Sequence, residues 1–137
     1  MFRIIYFMSS SKIYCSSEIG KLKKVIVHRP DNGIARITPK EAAELLFDDI
    51  VYLPQMQKEH DTFTSVLKAF VGEENVLFVA DLLEQALAAD DIKKTELIRM
   101  IVDYEEIPQS FGNIFTELSN SKLAEVLISG YLEEEDH

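Results

Sequence analysis

The chain has 137 residues, 47% of them hydrophobic and 28% charged, the length and composition of one globular domain rather than of a disordered or fibrous chain. With 14 Lys and Arg against 24 Asp and Glu the formal charge is −10, which repels phosphate backbones and anionic lipid heads and argues against nucleic-acid and membrane partners. The single cysteine, Cys15, makes no intramolecular disulfide, and His28, His60 and His137 lack the spacing of a zinc site, a pattern that fits a reducing, cytoplasmic compartment and calls for no metal or other cofactor.

In chain order, Met1 to Met8 is apolar but far shorter than the roughly 20 residues of a membrane span, and no small-residue cleavage site follows it. Residues 1–12 are therefore read as a leader that need not be ordered. Lys23-Lys-Val-Ile-Val-His28 is a β-branched run closed by Pro30, which reads as a buried strand. Asp31-Asn-Gly33 carries turn chemistry, and Thr38-Pro39 with Glu41 beyond it predicts a helix start, with Ala42, Leu45 and Leu46 on its inner side. Gln55 to Phe70 predicts a longer helix whose Met56, His60, Phe63, Leu67 and Phe70 recur every three or four residues, with Gly72 as its cap.

Val76-Leu-Phe-Val79 predicts a second strand, so that residues 23–79 have the pattern of a βαβ unit with a parallel pair. From Asp81 the pattern is helical: Asp81 to Ala89 capped by its own aspartate, Asp91 to Tyr104, Gln109 to Leu118, and Ser121 to Glu134, followed by an acidic tail ending at His137. The expected organisation is a strand-helix-strand part over residues 13–80 and a helical part over 81–137.

Candidates for chemistry are few. No phosphate-binding glycine motif and no serine nucleophile elbow is present. Cys15 has no base placed beside it by the sequence, and His60 falls on an apolar helical stripe, where a hydrogen-bonded, half-buried histidine is the ordinary outcome. Asp48 and Asp49 are adjacent, and adjacent helical residues point apart.

A series of longer motifs says more. Ser17-Glu-Ile-Gly-Lys-Leu-Lys-Lys-Val-Ile-Val-His-Arg-Pro30, Ile37-Thr-Pro39, Glu44-Leu-Leu-Phe-Asp-Asp49 and Gln57-Lys-Glu-His-Asp61 with Phe63 resemble, in order and at close spacing, the opening of the arginine deiminases. Ser121-Lys-Leu-Ala-Glu-Val-Leu-Ile-Ser-Gly130 is similar to the last helix of the helical insert in those enzymes. The fold class this resemblance implies is α/β, or α+β by content: a partial ββαβ propeller module with a helical-bundle insertion. The activity it implies is hydrolysis of free L-arginine to L-citrulline and ammonia through a cysteine thiolate, with a histidine acid-base and carboxylates gripping the guanidinium.

The chain departs from that pattern where the chemistry lies. The family's guanidinium-binding carboxylate belongs to a Phe-Thr-Arg-Asp motif just after the helical insert, and this sequence reaches His137 without it. Phe115-Thr-Glu-Leu118 imitates its start but lacks the Arg-Asp pair. The catalytic histidine and the late nucleophilic cysteine have no counterparts, and Cys15 does not correspond to the nucleophile. What the resemblance carries over is a substrate-pocket region at Leu46, with Phe47 and Asp49 beside it.

The sequence thus reads as an N-terminal deiminase segment, inactive alone and meeting L-arginine only within the full-length enzyme. The alternative is a stand-alone, non-catalytic interaction module derived from the family. Either way, nearly continuous apolar strands predict association with the remaining deiminase modules or with further copies of the chain.

Overall fold

The computed structural model describes residues 17–37 and 52–131. The first element is strand β1, Val25–Val27, ended by Pro30 as expected. The Asp31-Asn-Gly33 turn tightens into one helical turn, α1, Asn32–Ala35, because Asp31 Oδ1 accepts from the Gly33 N–H at 2.9 Å and so satisfies a backbone donor that a helix start leaves open. The helix expected from Pro39 lies outside the described residues.

Helix α2, Leu53–Val71, carries Pro54 in its first turn, where a missing N–H costs nothing, and stops at Gly72, whose φ of 91° lies in the region that suits glycine. A 3₁₀ turn, Glu73–Asn75, joins it to strand β2, Val76–Phe78; Lys68 Nζ contacts Glu73 Oε1 at 3.0 Å and Asn75 Nδ2 donates to the Val71 carbonyl at 2.7 Å across that junction. β1 and β2 pair in parallel with Val25 opposite Val76, Ile26 opposite Leu77 and Val27 opposite Phe78.

β2 runs without a break into α3, Val79–Ala89. The helix starts two residues earlier than the sequence pattern predicts, and Asp81 lies inside its first turn rather than capping it. There its charge still complements the positive end of the helix. Asp90 caps α4, Asp91–Tyr104, by accepting from the N–H groups of Ile92 and Lys93 at 3.0 and 3.1 Å. The turn that follows places Glu106 at φ 53° and leads to α5, Ser110–Glu117. Ser119 caps α6, Asn120–Ser129, which Gly130 ends at φ 84°, short of the expected Glu134.

Helix α3 packs along α6, and α4 packs on both α3 and α5. Their facing stripes make one core of Leu87, Ile98, Val102, Phe115, Leu123, Ala124 and Val126, in which Leu123 is 0% exposed and Val102 1%. This is a helical bundle held by apolar burial, each buried Leu, Ile, Val or Phe side chain contributing about 1.5–3 kcal/mol. Helix α1 fastens the N-terminal part to it, for Arg36 Nη1 donates to the carbonyls of Ser129 and Gly130 at the end of α6.

The expected α/β propeller module is overturned. The described residues are predominantly helical, with two strands of three residues in an open sheet and no propeller architecture among them. Strand pairing ends where Val79 enters α3, so the apolar run at 76–79 is shared between strand and helix. The strand at 25–27 is also not buried throughout as its composition predicts: Val27 is 8% exposed but Ile26 is 60% exposed.

Candidate functional site

A cleft of about 460 Å³ opens at the carboxyl ends of both strands, where β1 leads into His28-Arg-Pro-Asp31 and β2 into the start of α3. Ligand sites favour this end of parallel strands. Helix α6 closes the far side with Ser121, Ala124, Glu125 and Ile128.

Two of the sequence motifs meet at its rim. Arg29 lies with Nε 2.8 Å from Asp61 Oδ1 and Nη2 2.9 Å from Asp61 Oδ2, a bidentate pair between the end of β1 and the middle of α2. One turn earlier on α2, Gln57 Nε2 donates to the Pro30 carbonyl at 2.9 Å. The Arg29 hydrogen bonds, aided by charge attraction, hold the Asp61 carboxyl below the usual carboxylate range, and Asp61 raises Arg29 above its ordinary value in return; partial desolvation opposes both shifts. The His28-Arg-Pro30 and Gln57-Lys-Glu-His-Asp61 motifs are therefore one structural unit.

Inside the cleft His28 Nε2 lies 3.2 Å from Asp31 Oδ2. Glu125 is held below the usual carboxylate range chiefly by the hydrogen bond from Lys122 and further by Asn32 and Arg36, against a smaller desolvation effect. Asp81 and Glu84 line the same cleft and make no ion pair among the described residues, which leaves the interior acidic. Such a cleft attracts a cation. Among the described residues Ser121 makes no hydrogen bond to His28, so no hydroxyl there is joined to a base as a nucleophile requires. Among the described residues no group of three or more His, Cys, Asp or Glu is placed to hold a metal ion.

The pocket residues expected from the sequence, Leu46, Phe47 and Asp49, lie outside the described residues, as does Cys15. His60 is half-buried, with Nδ1 3.3 Å from Thr64 Oγ1 and its ring edge-on to Phe63. Phe115 of the Phe-Thr-Glu-Leu imitation is a core residue. A second hollow of about 560 Å³, lined by Phe111, Phe115 and Tyr131 packed edge to face, has Glu105 as its one charged residue among the described ones. The Arg29–Asp61 pair was not foreseen as a contact, although each partner stands in a motif; what signalled it was the joint presence of those motifs.

The family described as arginine deiminase matches residues 43–136. The chain belongs to the arginine deiminase family. It is 50% identical over 94 residues to the arginine deiminase of Limosilactobacillus fermentum, covering 69% of this chain and 23% of that protein. It is 45% identical over 92 residues to that of Latilactobacillus sakei and 47% identical over 94 residues to that of Pediococcus pentosaceus, covering 67% and 69% of this chain and 22% and 23% of those proteins. The chain thus spans less than a quarter of the length of these curated relatives and corresponds to the N-terminal region of the deiminase family. No helix among the described residues is long and apolar enough to cross a membrane.

Proposed function

We propose that this deiminase segment takes part in the hydrolysis of L-arginine to L-citrulline and ammonia through a cysteine thiolate that lies in the remainder of the enzyme, and that alone it is inactive. The observation that carries the reading is the 50% identity to an arginine deiminase over only 23% of that protein's length. The acidic cleft is consistent with it: carboxylates that attract a cation are present, while a nucleophile joined to a base is absent from the described residues. Without the nucleophile, the acid-base group and the full guanidinium clamp, nothing stabilises the transition state more than the bound substrate.

On this reading Leu46, Phe47 and Asp49 belong to the substrate pocket only in the complete enzyme, the compartment is the cytoplasm, and the partners are the remaining deiminase modules or a second copy of the chain. The test is citrulline release from L-arginine by the purified chain. None above the uncatalysed background is expected, and release that Cys15→Ala abolishes would overturn the reading.

A further inference from the structure

We propose that Asn32 is a site of spontaneous, irreversible deamidation, and that its conversion releases α1 from α6. The chain has four asparagines, and Asn32 alone precedes a glycine; Asn75 and Asn113 precede the branched Val76 and Ile114, and Asn120 precedes Ser121. With no side chain on the following residue, the backbone nitrogen of Gly33 is free to reach the Asn32 side-chain carbonyl carbon. Packing demands that glycine. A Cβ at position 33 would stand 3.1 Å from Asp31 Oδ1 and 3.4 Å from the Ser129 Cα on α6, so the labile pair comes with the close approach of α1 to α6. Asn32 itself is exposed.

In the reaction the Gly33 nitrogen attacks Asn32 Cγ. The new N–Cγ bond closes a five-membered succinimide, the Cγ–Nδ2 bond breaks, and the Gly33 amide proton leaves with Nδ2 as ammonia. Water then opens the ring on either side. At Cγ it leaves an aspartate in an unaltered backbone; at the backbone carbonyl it leaves an isoaspartate, with one extra methylene in the main chain. Two features of the fold restrain the first step. The Gly33 N–H donates to Asp31 Oδ1 at 2.9 Å, and a nitrogen held by a carboxylate keeps its proton. Ring closure also needs a backbone angle far from the helical ψ of about −42°, so it waits until α1 opens. Either product opposes reclosure. Asn32 Nδ2 donates to Glu125 Oε1 at 3.5 Å, and a carboxylate in its place repels Glu125. The lengthened main chain of isoaspartate breaks the hydrogen-bond register of a helix only four residues long, whose capping Arg36 grips the last carbonyls of α6.

The test incubates the 137-residue chain in warm neutral buffer and follows Asn32 by peptide mass mapping, with isoaspartate counted by an isoaspartyl methyltransferase and hydrogen exchange recording whether the bundle stays folded. Conversion is expected at Asn32 ahead of Asn75, Asn113 and Asn120, and more slowly in the folded chain than in urea. Asp31→Ala removes the cap and should raise the rate about fivefold, as loss of an N-cap shifts a helix-opening equilibrium, whereas Asp31→Ser keeps an acceptor for the same N–H and should convert nearly as the parent does. Arg36→Ala frees the other end of α1, should speed conversion too, and decides the matter if Asp31→Ala does not fold. The converted chain should exchange its α1 amides faster, with those of α4 unchanged. An Asn32 that outlasts the other asparagines, or folded and unfolded chains that convert at one rate, would overturn the proposal. So would Asp31→Ala and Arg36→Ala both converting as the parent does, or a converted chain whose α1 amides exchange as before.

Discussion

Arg29 and Asp61, 32 residues apart in the chain, form a two-bond ion pair that ties the end of β1 to the middle of α2. Planar guanidinium and carboxylate groups match one another in this geometry, and lysine cannot reproduce it. Arg29→Lys should therefore lower the thermal midpoint almost as much as Arg29→Ala, and the Arg29→Ala, Asp61→Ala double variant should be no less stable than the worse single one. A thermal-denaturation cycle checks this. Both side chains are about half exposed, so the effect should shrink as salt is raised.

The same pair sets an acid limb. Because Arg29 holds the folded-state Asp61 below its ordinary value of 3.8, the carboxylate stabilises the fold fully above about pH 4, and that contribution is lost as the pH falls through the lowered folded-state value. Asp61→Asn should be less stable than the parent at neutral pH and should converge with it in strong acid. Midpoints measured from pH 6 downward would reveal the convergence, and parallel curves would refute it.

How far the sequence carries is clear from α2. Its periodicity and Gly72 define the helix closely, yet not the direction in which it packs. At about 100° per residue the apolar stripe runs through Phe63 and Phe70, but these are exposed while Thr64 is buried, because the partner surface is made by β2 and α1 rather than by the stripe's own pattern. The bundle was more legible, since each of the four helical segments expected from Asp81 onward forms a helix, although the last, expected to run to Glu134, ends at Gly130. The extent of strand was not, because Val79 suits strand and helix alike and only its place after β2 decides. The cleft joins residues 28–31, 78–84 and 121–128, a juxtaposition that no local pattern announces.

The N-cap at Asp90 offers a sharper measure of local chemistry. Its carboxylate accepts from two backbone N–H groups at the start of α4 that have no helical partner. Asp90→Ala should cost about 0.5–2 kcal/mol and Asp90→Asn much less, since an amide oxygen can accept the same bonds. Urea denaturation of both variants distinguishes capping from loss of charge.

Core packing should dominate over any surface change. Leu123 is wholly buried between helices, so Leu123→Ala removes apolar contact and leaves a cavity, at a cost of about 2–5 kcal/mol. Ile92→Ala, at a position 80% exposed, should stay within about 0.5 kcal/mol of the parent. Denaturant midpoints compared at constant slope check both.

Stability should also be unevenly distributed along the chain. Helices α3 to α6 share one core of seven buried residues and close on one another, so opening any of them exposes apolar surface on its neighbours. The sheet has three residues in each strand, one face with Ile26 largely exposed, and an edge with no partner among the described residues. Local opening there exposes little that is not already exposed, and amides protected only by local opening exchange fastest. Hydrogen exchange followed by mass spectrometry should therefore find slow amides around Ile98, Val102, Phe115 and Leu123 and faster ones at Val25–Val27 and Val76–Phe78. Slower exchange in the strands than in the helices would mean that the sheet, and not the bundle, organises the fold.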